Sequence, residues 1–211
     1  MSRLRVGPLT ISLTVLLCTA CVSGLSRAPA AAGAAASVDA EQATSCLAQG
    51  LPAIDAQKDN LGLLRPAREE YRLIRAARPG DRLVCTFQQV NRGVPVQFYE
   101  YAVHLSPQGR VLFSNGRYAT AAAAASPQPG LTEIRILELA FTDAQRLLAA
   151  ERPSISPPQL RFTAVSSDRF RLDFETVARH PDSGAAMRLG YDAENGRLVS
   201  QQRLGSGPAA P

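Results

Sequence analysis

Few residues in this sequence are spaced for chemistry. Its only histidines are His104 and His180. Nucleophilic catalysis needs a serine or cysteine within reach of a base that a third group orients. His104 lies in a stretch that reads as strand and His180 in a turn before Pro181, and no Gly-x-Ser-x-Gly elbow is present. Neither histidine belongs to a His-x-x-x-His or Cys-x-x-Cys arrangement, the spacings that suit zinc. Glu133, Glu138 and Asp143 are the carboxylates nearest to gathering, but carboxylates on a helix and its flank are ordinarily solvated. Glycine-rich phosphate loops are missing. The expectation is a chain that binds and does not catalyse, with no cofactor and no metal.

The cysteines carry more. Arg3 and Arg5 precede an apolar run from Leu9 to Leu17, too short for an ordinary spanning helix. The run ends in Leu17-Cys18-Thr19-Ala20-Cys21. Small residues before a cysteine resemble the lipobox of bacterial lipoproteins, although Cys18 stands where leucine is usual. That resemblance implies a signal peptide over 1–20 and acylation of Cys21. Val22 follows where an inner-membrane protein would have Asp, which implies an outer-membrane anchor facing the periplasm. A plain secretory signal is the alternative, and either one exports the chain. Cys46 and Cys85 then remain in an oxidising compartment, where they are most simply a disulfide. Closing a loop of that length stabilises by roughly 3–4 kcal/mol in the chain-entropy model.

The formal charge is +5, nearly all of it arginine, with Lys58 the sole lysine. Such a balance admits an acidic partner. No basic block or aromatic-interleaved stripe accompanies it, and Arg with Ala, Pro and Gly is the mark of GC-rich coding. No nucleic-acid partner is expected.

Residues 21–37 are rich in Ala, Ser, Gly and Pro and read as a flexible tether. Folded structure is expected from Val38, with Asp39 capping a short helix that turns Ala43, Cys46 and Leu47 to one side. Glu70–Ala77 and Arg82–Val90 read as strands around Pro79-Gly80-Asp81. The arginines between 65 and 82 then lie on a solvated edge. Val94–Leu105 reads as a strand, Ser106–Gly109 as a turn, and Arg110–Phe113 as the returning strand. Residues 119–130 form a low-complexity linker. Thr142 and Gln145 match a capping box, predicting a helix to about Arg152 with Ala144, Leu147 and Leu148 inward. Strands are predicted at Leu160–Val165, Phe170–Arg179, Ala186–Asp192 and Arg197–Arg203. Residues 205–211 read as a coil tail. The fold class is α+β, built as two tandem small units, each a helix packed on an antiparallel sheet.

The stretch Phe87-Gln88-Gln89-Val90-Asn91-Arg92-Gly93-Val94-Pro95-Val96 resembles the core of the fungalysin/thermolysin propeptide (FTP) family. The likeness continues through Tyr101–Leu105, Gly109-Arg110-Val111 and Asn115-Gly116. The family often has arginine where Thr86 stands and glycine where Phe98 stands. Residues 131–204 are similar to the PepSY unit that follows in such propeptides, through Asp192-Ala193-Glu194-Asn195-Gly196-Arg197-Leu198. The resemblance implies an FTP-like unit over 38–118, a PepSY-like unit over 131–204 and a cystatin-like architecture. No His-Glu-x-x-His motif occurs, and no catalytic domain is expected after Pro211. The implied function is a protease inhibitor or folding helper acting in trans on an exported thermolysin-like metalloprotease. An envelope-binding or structural lipoprotein with an unrelated partner is the alternative. Oligomeric state is left open. Gly93 reads as a turn residue, Pro95 as a strand-entry residue and the two glutamines as amides that fix neighbouring backbone.

Overall fold

The computed structural model describes residues 39–205. The segments expected to be a signal peptide, an acylated Cys21, a tether and a C-terminal tail all lie outside the described residues. Helix α1 (Ala40–Asp55) starts at Asp39, whose side chain accepts from the Glu41 amide. It is longer than expected, and its buried stripe is Cys46, Gly50 and Ile54 at successive four-residue steps. Leu47 falls outside that stripe and is exposed. Two single turns follow, α2 (Lys58–Leu61) and α3 (Ala67–Glu70).

Strands β1 (Tyr71–Ala77), β2 (Leu83–Asn91), β3 (Val94–Leu105) and β4 (Val111–Gly116) form antiparallel neighbours in that order. Tyr71, Leu83, Cys85, Phe87, Tyr101, Val103 and Leu105 pack into a core with α1. Alternation makes the opposite face of these strands Arg72, Thr86, Gln88, Glu100, Ala102 and His104.

Residues 119–130 contain a short helix, α4 (Thr120–Ala124), which buries Ala122 and Ala123. Helix α5 (Glu133–Leu148) begins ten residues before the capping-box position. Thr132 is the cap, accepting from the Arg135 amide, while Thr142 sits inside the helix and donates to the Glu138 carbonyl. Ile136, Ala140 and Ala144 are its buried stripe, and Leu147 and Leu148 pack at the margin. Strands β5 (Ser154–Ile155), β6 (Gln159–Ala164), β7 (Phe170–Arg179), β8 (Ala186–Asp192) and β9 (Leu198–Leu204) complete the architecture. Phe174, Leu189 and Tyr191 meet α5 in a second core.

One sheet runs β1-β2-β3-β6-β7-β8-β9, with β4 on β3 and β5 on β7. The chain is therefore α+β, with helices packed on antiparallel strands. The join is parallel, through Val96 opposite Phe162. Val96, Phe162, Ala119 and Ala122 form a third small core there. Strand β3 changes partners along its length. Its later residues pair with β4, while Val96 pairs with β6. Between those stretches the register against β2 slips, from Gln88 opposite Glu100 to Val90 opposite Pro95. Four residues of β3 thus bulge against one of β2.

Candidate functional site

The singled-out stretch of β2 and β3 is mostly interior. Cys85 is fully buried and bridges to Cys46, with 5.5 Å between the Cα atoms, fastening α1 to β2. Phe87 is fully buried, and α1 comes so close that a Cβ on Gly50 would lie 2.6 Å from its ring. Gln88 lies on the opposite face, half-buried, and reaches the Val96 carbonyl at 3.4 Å. Gln89 points inward. Its Oε1 accepts from the Ala119 amide at 2.7 Å, and its Nε2 donates to the Ala119 carbonyl at 3.0 Å. The side chain thus pairs with one backbone residue as a neighbouring strand would.

Asn91 continues the same work. Its Nδ2 donates to the carbonyls of Ala122 (2.9 Å) and Ala125 (2.7 Å), and its Oδ1 accepts from an Arg65 terminal nitrogen at 3.1 Å. Arg65 reaches on to Glu70, which is fully buried. Glu70 also accepts from the Tyr118 hydroxyl at 2.7 Å and the Leu64 amide at 3.1 Å. Arg65 is therefore not one of the solvated edge arginines. Burial first, then the bond to Glu70, raises the Tyr118 hydroxyl well above its ordinary value. Burial, with Tyr118 and Tyr101 close by, does the same to Tyr71. These side chains form a closed polar latch that fastens residues 118–125 to β2. The motif read from the sequence contains Gln89 and Asn91, and nothing in it marks Arg65 or Glu70 as part of the same latch.

The glycines and proline of the motif shape backbone. Arg92 (φ 48°) and Gly93 (φ 86°) make the two-residue turn from β2 to β3. Val94 and Pro95 open β3 opposite Asn91 and Val90, and Val96 is fully buried. Gly109 (φ 77°) closes the turn before β4. Gly116 is held to glycine by space, because a Cβ would lie 2.6 Å from the Glu100 carbonyl.

Asp192 and Gly196 belong to a separate feature, the turn from β8 to β9. Asp192 accepts from the Glu194 amide and from the Asn195 side chain. Gly196 (φ 74°) lies against Leu131 and Leu139. An open concavity of about 650 Å³ borders this turn, between Gly130, Arg169, Phe170 and Arg197. Arg171 on its wall is engaged by the buried Asp173, which raises its already high pKa further.

The candidate chemical residues stay apart. His104 stacks on Phe113 with ring centroids 4.0 Å apart, and the His180 Nδ1 accepts from the amides of Asp182 and Ser183. Glu138 pairs with Arg135, and Asp143 with Arg146 and the Tyr191 hydroxyl. Among the described residues no three His, Cys, Asp or Glu side chains gather as a metal site.

The family profile described as Fungalysin/Thermolysin Propeptide Motif matches residues 85–118. That span runs from the cysteine of the bridge to the tyrosine of the latch. No curated protein matches the chain at a significant level. Among solved structures, the C-terminal domain of Bacillus megaterium YpeB aligns at 13% identity and a TM-score of 0.35, covering 80% of this chain and 67% of that one. A protein designated a lipoprotein, from Clostridium difficile 630, aligns at 13% identity and a TM-score of 0.29, covering 72% of this chain and 90% of its own. Likeness at that level carries no argument about what the chain does.

Proposed function

We propose that the chain is a non-catalytic lipoprotein of the bacterial envelope, anchored through Cys21 at the outer membrane, whose folded part acts in trans on an exported thermolysin-like metalloprotease as an inhibitor or folding helper. The supporting observation is the propeptide-motif match over 85–118, which coincides with the disulfide and latch. The polar groups of that region are directed at its own backbone and at one another, an arrangement that builds a rigid docking module. On this reading residues 38–118 are the FTP-like unit and 131–204 a PepSY-like unit.

A propeptide covalently joined to its enzyme avoids the entropy of association. A separate module must overcome several kcal/mol of it. Tethering to the membrane offsets part of that by raising local concentration.

The full-length protein in detergent, titrated against each exported thermolysin-like metalloprotease of the same organism, should bind at micromolar concentration or below and slow substrate turnover or speed refolding. Cys21→Ser should move the protein from membrane to soluble fractions. Absence of binding to every such protease removes the protease reading and leaves an envelope lipoprotein with another partner. A Cys21→Ser variant that stays with membranes removes the anchor.

A further inference from the structure

We propose that the concavity beside Phe170–Leu172 is a groove for a short extended peptide segment of another protein, neutral in its side chains, which adds to the sheet as an antiparallel strand in line with β8. The groove lies outside the propeptide motif and goes beyond the function proposed above.

Strand β7 is paired unevenly. On one edge it pairs with β6 as far as Phe170, opposite Ala164. On the other edge its ladder with β8 stops at Asp173, opposite Asp192. One further bond is made there, from the Ala193 amide to the Leu172 carbonyl at 2.9 Å. The return bond is not made, because the Ala193 carbonyl accepts instead from the amides of Gly130 and Leu131, each at 3.0 Å. The chain then leaves the line of the sheet. The Asp192 side chain holds the Glu194 amide in a turn, and Gly196 lies against Leu131 and Leu139. Backbone groups face alternate edges along a strand, so those of Phe170 face the same edge as the Leu172 carbonyl. The Phe170 N–H, the Phe170 carbonyl and the Leu172 N–H are thus left at that edge with no partner among the described residues.

Phe170 and Leu172 line the concavity of about 650 Å³, together with Ser126, Gln128 and Pro129. That volume is in the range of ligand sites. What suits such an edge is main chain. Free donors and acceptors along a strand are a template for pairing, and an extended peptide takes its affinity there from backbone bonds. Charge does not select the occupant. Arg169, Arg171 and Arg197 at the concavity are matched by Asp192, Glu194 and the Asp173 that engages Arg171. The exposed Val165 and the half-buried Phe170 and Leu172 offer apolar contact instead. A neutral, apolar strand is what these groups fit.

The test passes full-length protein in detergent over an immobilised array of short overlapping peptides that covers the exported proteins of the same organism. The tightest binders are then measured in solution. Their affinity should change little between low and high salt. Methylating the peptide's main-chain nitrogens one at a time should cost at least about tenfold at alternate positions and little between them, because only alternate N–H groups face β7. Bound peptide should slow hydrogen exchange at the Phe170 and Leu172 amides. Gln128→Trp, which sets an indole in the groove from an exposed coil residue, should weaken binding by a similar factor at an unchanged melting temperature. An array without a binder, an affinity blind to methylation, or Gln128→Trp that binds within twofold of wild type overturns the groove. If Gln128→Trp melts lower, exchange in the wild type decides, and no slowing at the two amides overturns the groove. Affinity that falls steeply with salt overturns the neutral occupant. Amides already protected in the monomer without peptide would put a segment of the chain itself in the groove, and a dimer that Gln128→Trp disperses would put a second copy there. Either result overturns a peptide of another protein as its occupant.

Discussion

Gln89 is fully buried and commits both ends of its amide to Ala119. Replacing it with leucine keeps the volume and strands a buried N–H and a buried carbonyl, each costing about 1–3 kcal/mol. Gln89→Leu should therefore lose about 2–4 kcal/mol of stability, read from the urea midpoint at unchanged slope. A loss below half a kcal/mol would show that the pairing contributes little. The two glutamines look alike in the sequence, and both were read as backbone-fixing amides. Strand alternation separates them, sending Gln89 to the core and Gln88 to the other face. Arg65 was illegible because it heads a run of arginines whose other members stay solvated. Only the fold brings it to Glu70 and Asn91, and nothing local marks a buried carboxylate awaiting it.

At the scale of elements, strands were far more legible than helices. The hairpins announce themselves through Gly93, Gly109 and Gly196 between β-branched and aromatic runs. Helix α5 was shortened because Thr142 with Gln145 imitates a start, although Ile136, Ala140 and Ala144 already keep the four-residue step through it. In α1 the stripe was misplaced by one residue because Gly50, its centre, does not count as apolar. That glycine yields a prediction opposite to the ordinary rule. Alanine normally stabilises a helix over glycine by about 1 kcal/mol. Here its Cβ would meet the Phe87 ring at 2.6 Å, in a helix the disulfide keeps from moving away. Gly50→Ala should destabilise by about 1–3 kcal/mol, measured by thermal unfolding. A gain in stability would mean that α1 slides freely on β2.

The whole molecule has a titration that follows from its tyrosines. Burial, first among the causes, raises the hydroxyls of Tyr71, Tyr118 and Tyr191 above their ordinary value near 10. Below that value both folded and unfolded chains hold these protons, and the stability they contribute is fully present. As pH climbs past about 10 the unfolded chain releases protons that the folded chain keeps, so stability falls. Melting curves between pH 8 and 11 should show the midpoint dropping above pH 10, less steeply in Tyr191→Phe. An equal slope in that variant would mean that Tyr191 titrates normally. The bridge between Cys46 and Cys85 spans 39 positions of sequence and has a mechanical meaning as well. Tension entering from the N-terminal side travels along α1 only as far as Cys46. It then crosses the sulfur–sulfur bond into β2 at Cys85. Residues 47–84, which include the rest of α1 and all of β1, lie in a covalent loop off that path and bear no load. A pull on the chain's front end is thus delivered to an interior strand of the sheet, and the first helix cannot be unwound beyond its seventh residue while the bond holds.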